Sequence, residues 1–116
     1  MEELADVIGG CGIKVPVLNG SLTRITLNVK RKTSFQEIND TFERVSQNEL
    51  INILFYKKDP IVSIDINNSC YSCTFDSQMT SVIGKMVKIT GWYDNETGYS
   101  SRIIDIINLL LNKKFV

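Results

Sequence analysis

One hundred and sixteen residues with 43% hydrophobic content suffice for a single packed domain. Thirteen basic side chains balance thirteen acidic ones, so no net field would draw the chain to nucleic acid or to an anionic membrane. Histidine is absent, which removes the commonest general base and metal ligand at neutral pH. The acidic start, Met1 to Asp6, lacks the basic-then-apolar order of a signal peptide. The strongest apolar run, Ile103 to Leu111, is broken by Asp105 and Asn108 and falls well short of the roughly 20 residues of a membrane span. The expectation is a soluble, cytoplasmic chain forming one domain over residues 1–116.

Ile13-Lys14-Val15 reads as a short strand that stops at Pro16, and Leu18-Asn19-Gly20-Ser21 carries turn chemistry. Arg24 to Lys30 alternates, with Ile25, Leu27 and Val29 on one face. Ser34-Phe35-Gln36-Glu37 matches a capping box, and Phe35, Ile38, Phe42 and Val45 follow at helical spacing. A helix is therefore predicted from about Ser34 to Gln47. Next come three alternating segments that read as strands. Ile51, Ile53 and Phe55 oppose Asn52, Leu54 and Tyr56; Val62, Ile64 and Ile66 oppose Ser63, Asp65 and Asn67; Tyr71, Cys73 and Phe75 share a face. Gly84 separates Thr80–Ile83 from a strand near Lys85–Tyr93. A last helix places Tyr99, Ile103, Ile106, Ile107 and Leu110 on one side. These elements imply an α+β layer, a mostly antiparallel sheet with helices packed on one face. The final helix is rich in β-branched isoleucine and depends on packing along a wide apolar arc that includes Ile104 and Leu111.

Cys11, Cys70 and Cys73 make an odd count, which argues against a closed disulfide framework. Cys70 and Cys73 have the spacing of a zinc or redox pair, but a structural zinc needs four ligands and only Cys11 remains. No metal is expected. Lys30-Arg31-Lys32 and Phe55-Tyr56-Lys57-Lys58 mix basic and aromatic residues, yet the zero net charge favours solvated strand ends over a nucleic-acid surface. Glu37, Asp40 and Glu43 lie along one helix as a solvated face rather than an acid–base pair.

Five segments, in order, carry a family resemblance. They are Ile13-Lys14-Val15-Pro16-Val17 with Asn19-Gly20-Ser21-Leu22-Thr23; Asp59-Pro60-Ile61-Val62-Ser63-Ile64-Asp65; Ser72-Cys73-Thr74-Phe75-Asp76; Met86-Val87-Lys88; and Trp92-Tyr93-Asp94-Asn95-Glu96-Thr97-Gly98-Tyr99-Ser100. From about Gly12 to Leu111 the chain resembles the C-terminal, catalytic domain of phosphorylating glyceraldehyde-3-phosphate dehydrogenases, and the last segment is the most specific. The resemblance implies that domain's fold, with residues 1–116 as a single partial domain, and a place in an NAD-dependent glycolytic oxidoreductase that binds NAD only together with the missing N-terminal half. Such an enzyme oxidises an aldehyde through a cysteine thioester, passes hydride to NAD and releases an acyl phosphate. Its substrate would be glyceraldehyde-3-phosphate or the related erythrose-4-phosphate.

The resemblance makes Asn95 the contact to the nicotinamide carboxamide and Tyr99 a lining of the nicotinamide pocket. Lys14 stands where the family has an arginine for substrate or inorganic phosphate, and gives a point charge in place of a planar fork. Arg24 replaces a usual aspartate and Tyr71 a usual histidine. Read without the resemblance, Asn95 is an N-cap, Tyr99 a first-turn core aromatic and Lys14 a solvated charge. The nucleophile segment, its histidine and the dinucleotide-binding glycine loop have no counterpart here; Gly9-Gly10-Cys11-Gly12 lacks the flanking strand and helix. No catalytic residue is therefore assigned, and the isolated chain is expected to be inactive. Its expected partner is the dinucleotide-binding half, or a homo-oligomer. The alternative is a truncated, non-enzymatic partner or assembly module that docks through the last helix.

Overall fold

The structure, a computed structural model, describes residues 7–112. The acidic segment Met1–Asp6 lies outside them. Strand β1 spans Ser21–Asn28, helix α1 Phe35–Gln47, β2 Leu54–Lys57, β3 Cys73–Asp76, β4 Ser81–Ile83, β5 Met86–Tyr93 and helix α2 Asn95–Asn112. Short 3-10 turns cover Ser63–Ile66 and Ser77–Met79.

The sheet runs β1-β5-β3-β2, with β4 also paired to β5. Strand β5 is its axis. All of β1 lies antiparallel to β5, from Ser21 opposite Tyr93 to Asn28 opposite Met86. β3 pairs with β5 at Trp92 and Gly91, and β4 pairs with it at Met86 to Lys88. β2 and β3 are parallel, so the sheet is mixed, with antiparallel pairs in the majority. The α+β expectation holds. A parallel pair needs a crossover of a dozen or more residues, and residues 58–72 supply it.

Helix α1 begins as the sequence implies. Ser34 is the N-cap and its Oγ accepts the Glu37 N–H at 3.1 Å. Glu37 does not reciprocate as a full capping box would, because its carboxylate is taken by Arg31 and by Thr33 Oγ1, the latter at 2.7 Å. One face of α1 lies on the sheet. Phe42 stacks on Phe75 with centroids 3.9 Å apart and planes 7° from parallel, and Tyr56 flanks Phe75 at 5.8 Å. Asn39, buried, donates to Ser77 O at 3.2 Å and accepts from Thr80 Oγ1 at 2.8 Å, which pins the helix to the β3–β4 connection. Leu54, Ile66, Phe75 and Val87 are the buried apolar residues.

Three strand expectations change. Ile13–Val15 is irregular and exposed, because among the described residues no neighbouring strand takes up its backbone groups. The segment before β2 is a turn through Asn52, whose φ is 63°, and the buried side of β2 carries Leu54 while Phe55 is exposed. Val62–Ile66 forms a 3-10 turn: the Asp65 side chain accepts the Val62 N–H at 2.8 Å, so local side-chain chemistry overrides the alternating pattern.

Helix α2 forms as expected but engages the rest of the molecule through its first turns. Gly98 is buried against the Tyr71 carbonyl, and Arg102 donates to Cys70 O at 3.3 Å and Ser72 Oγ at 3.0 Å. Beyond Arg102, Ile103, Ile104, Ile106, Ile107, Leu109, Leu110 and Leu111 are all exposed. Among the described residues the apolar arc of this helix has no cover. No helix of the described residues is long and apolar enough to cross a membrane.

Candidate functional site

The β5–α2 junction is built around Asp94, which is 2% exposed. Its Oδ1 accepts the N–H groups of Glu96 and Thr97 at 3.1 and 3.0 Å and so caps α2. Its Oδ2 accepts Asn68 N–H at 2.9 Å and Asn19 Nδ2 at 3.0 Å. One carboxylate thus joins the helix start, a corner where Asn68 is left-handed (φ 63°), and the loop that enters β1. Gly20 follows Asn19 with φ 94°, and a Cβ there would lie 3.1 Å from Ser63 O, so glycine suits the turn on both counts.

These hydrogen bonds, the Thr97 N–H foremost, hold the Asp94 carboxyl below its usual range although burial alone would raise it. A folded-state pKa lower than the unfolded value of about 3.9 contributes stability that is fully present above that pH. That contribution is lost as pH falls through the depressed folded value. Thermal melting should therefore lose ground below about pH 4 in the wild type, and lose less in Asp94→Ala. Equal acid slopes for the two proteins would contradict this role of Asp94.

The structure places the sequence-derived candidates as follows. Asn95 is the first residue of α2 and exposed, and its side chain makes no hydrogen bond among the described residues. It is not the cap; Asp94 is. Tyr99, one turn on, is 70% exposed and so is not a core aromatic. Residues four apart on a helix share a face, so Asn95 and Tyr99 present an uncommitted amide beside an open ring. Lys14 is exposed and lies five residues before Asn19, so at most about 18 Å of extended chain separates it from the Asp94 junction. No hydrogen bond or ion pair joins it to Asn95 or Tyr99 among the described residues. Arg24 is exposed on β1, and Tyr71 packs against Phe55 with centroids 5.0 Å apart.

Asp94, Asn19, Asn68 and Gly98 were not singled out by the sequence as site residues. The signal for Asp94 was available, since an aspartate two and three residues ahead of Glu96 and Thr97 is as good a cap as Asn95. Nothing local marks its ties to Asn19 and Asn68.

The remaining chemistry is modest. Cys11 and Cys70 are exposed free thiols, and burial pushes the Cys73 thiol up, away from a reactive thiolate. Among the described residues no group of histidine, cysteine or acidic side chains could hold a metal ion. Around Gly9, Gly10 and Gly12 a Cβ would meet nothing within 4 Å, so they form no cradle that only glycine admits. The basic stretches are partly neutralised: Arg31 pairs with Glu37, Lys57 with Asp59 at 3.0 Å, and Lys58 with Glu43 at 2.6 Å.

Comparison with known proteins matches residues 1–95 to the model of the glyceraldehyde 3-phosphate dehydrogenase C-terminal domain. The chain is 45% identical over 107 residues to glyceraldehyde-3-phosphate dehydrogenase 2 of Streptomyces avermitilis, covering 91% of this chain and 32% of that protein. It is 44% identical over 108 residues to the enzyme of Streptomyces coelicolor, with 91% and 32% covered. With glyceraldehyde-3-phosphate dehydrogenase 1 of Bacillus cereus it shares 38% over 114 residues, 97% of this chain and 34% of that protein. The chain spans about a third of the length of the curated relatives it matches.

Proposed function

We propose that this chain, which belongs to the glyceraldehyde-3-phosphate dehydrogenase family as part of its C-terminal domain, supplies the nicotinamide and phosphate contacts of an NAD-dependent, phosphorylating, glycolytic dehydrogenase. The observation that carries the reading is the exposed pair on α2. Asn95 offers a free primary amide, with donors and an acceptor to match a carboxamide, and Tyr99 offers an open ring one turn away. Both fit the nicotinamide end of NAD. The open coil at Gly9–Gly12 does not fit its pyrophosphate, so that end belongs to the dinucleotide-binding half.

When bound, NAD supplies the acceptor for hydride. The work of this chain is orientation: Asn95 fixes the carboxamide, Tyr99 limits the ring's freedom and excludes water on one side, and Lys14 attracts a phosphate group. The chain has no histidine to activate any of its three cysteines, so the nucleophile–base pair comes from outside these residues. The setting is cytoplasmic, with the dinucleotide-binding half or further copies as partners. The uncovered arc of α2 also favours a second reading, a non-enzymatic assembly module that docks on that half.

The test joins the chain to the upstream two-thirds of the Streptomyces avermitilis relative and follows NADH formation from glyceraldehyde-3-phosphate, NAD and phosphate. Asn95→Ala should lower kcat/KM by about 10–100-fold, chiefly through weaker NAD binding and poorer ring orientation. An Asn95→Ala hybrid as active as its parent would remove the nicotinamide role. A parent hybrid that assembles but does not turn over would favour the module reading.

A further inference from the structure

A helix cap needs one side-chain oxygen, and at Asp94 Oδ1 alone does that work. Oδ2 is spent on two groups far away in sequence, the Asn68 N–H and the Asn19 amide. Those groups fix the left-handed corner that supports α2 and the chain end that leads back to Lys14. Resting on the reading of Asn95 and Tyr99 as nicotinamide contacts, we propose that Asp94 is the positioning residue of the site. Its single buried carboxylate sets the first turn of α2, and with it the aim of Asn95 and Tyr99, relative to the segment that bears Lys14. The three segments share no other common side chain in this network. Loss of Oδ2 as an acceptor would leave the helix capped and still held by Gly98 and Arg102, but would untie its first turn from the loop at Asn19 and the corner at Asn68.

Asp94→Asn separates these roles. Asparagine caps as well as aspartate, but its amide nitrogen would face the Asn68 N–H and the Asn19 Nδ2, donor against donor. Asn19→Ala removes one long-range tie and leaves the cap untouched. The experiment is an NMR titration, with nicotinamide mononucleotide, of the chain joined to the upstream two-thirds of the Streptomyces avermitilis relative, following the Asn95 side-chain amide and the Tyr99 ring. Protection of the Glu96 and Thr97 amide protons reports the helix start independently.

The expected result is binding by the wild type, about tenfold weaker binding by Asp94→Asn and a smaller loss in Asn19→Ala, with α2 still protected in both. Equal affinity in the wild type and both variants would overturn the positioning role while leaving the nicotinamide reading intact. Loss of Glu96 and Thr97 protection in Asn19→Ala would also overturn it, because the tie would then be structural alone. A wild type whose Asn95 and Tyr99 signals do not respond overturns the nicotinamide reading itself, and this inference with it.

Discussion

Phe75→Ala is expected to cost about 3–5 kcal/mol, which removes most of the stability of a domain this small. Phe75 is 2% exposed and is one of only four buried apolar residues among those described. It takes the stacked ring of Phe42 from α1 and the ring of Tyr56 from β2, so its loss opens a cavity where helix and sheet meet. The position cannot collapse easily, since Asn39 holds α1 to the turn at Ser77 and Thr80. Urea unfolding read by Trp92, the single tryptophan, measures it. A midpoint close to wild type would show that the Phe42–Phe75–Tyr56 stack is not the centre of the fold.

The second large effect is one of sign. In an ordinary helix interior, glycine to alanine gains about 1 kcal/mol. At Gly98 the added Cβ would lie 2.9 Å from the Tyr71 carbonyl oxygen, a backbone atom that cannot swing aside. Gly98→Ala should therefore destabilise by about 1–3 kcal/mol, as overpacking does. The damage would be local first. Helix α2 is held to the body by Gly98, by the Asp94 cap and by Arg102 on Cys70 and Ser72, so lifting the helix off Tyr71 also breaks the Arg102 bonds. Hydrogen exchange along α2, with Gly10→Ala as a control in open space, distinguishes this from global loss. A raised melting temperature in Gly98→Ala would contradict the close approach.

The parts legible in the sequence were those fixed by local pattern. Ser34 with the spacing of Phe35, Ile38, Phe42 and Val45 located α1, alternation over Arg24–Lys30 located β1 to within a turn's length, and the break at Gly84 located β5. Patterns failed where a side chain served its own backbone. Val62, Ile64 and Ile66 alternate like a strand, but Asp65 closes a turn around them. They failed again where a pattern lacked a neighbour, as at Ile13–Val15. The candidate site was half legible. Asn95 and Tyr99 come from the resemblance alone, whereas the ties of Asp94 to Asn19 and Asn68 have no mark in the sequence, because only the folded chain brings them to one carboxylate.

The measurement that most directly tests the account is NADH formation by the purified chain with glyceraldehyde-3-phosphate, NAD and phosphate, alone and joined to the upstream two-thirds of the Streptomyces avermitilis relative. The account predicts no turnover by the chain alone and turnover by the joined protein. NADH formation by the chain alone would contradict it, because these residues hold no histidine to activate any of their three cysteines.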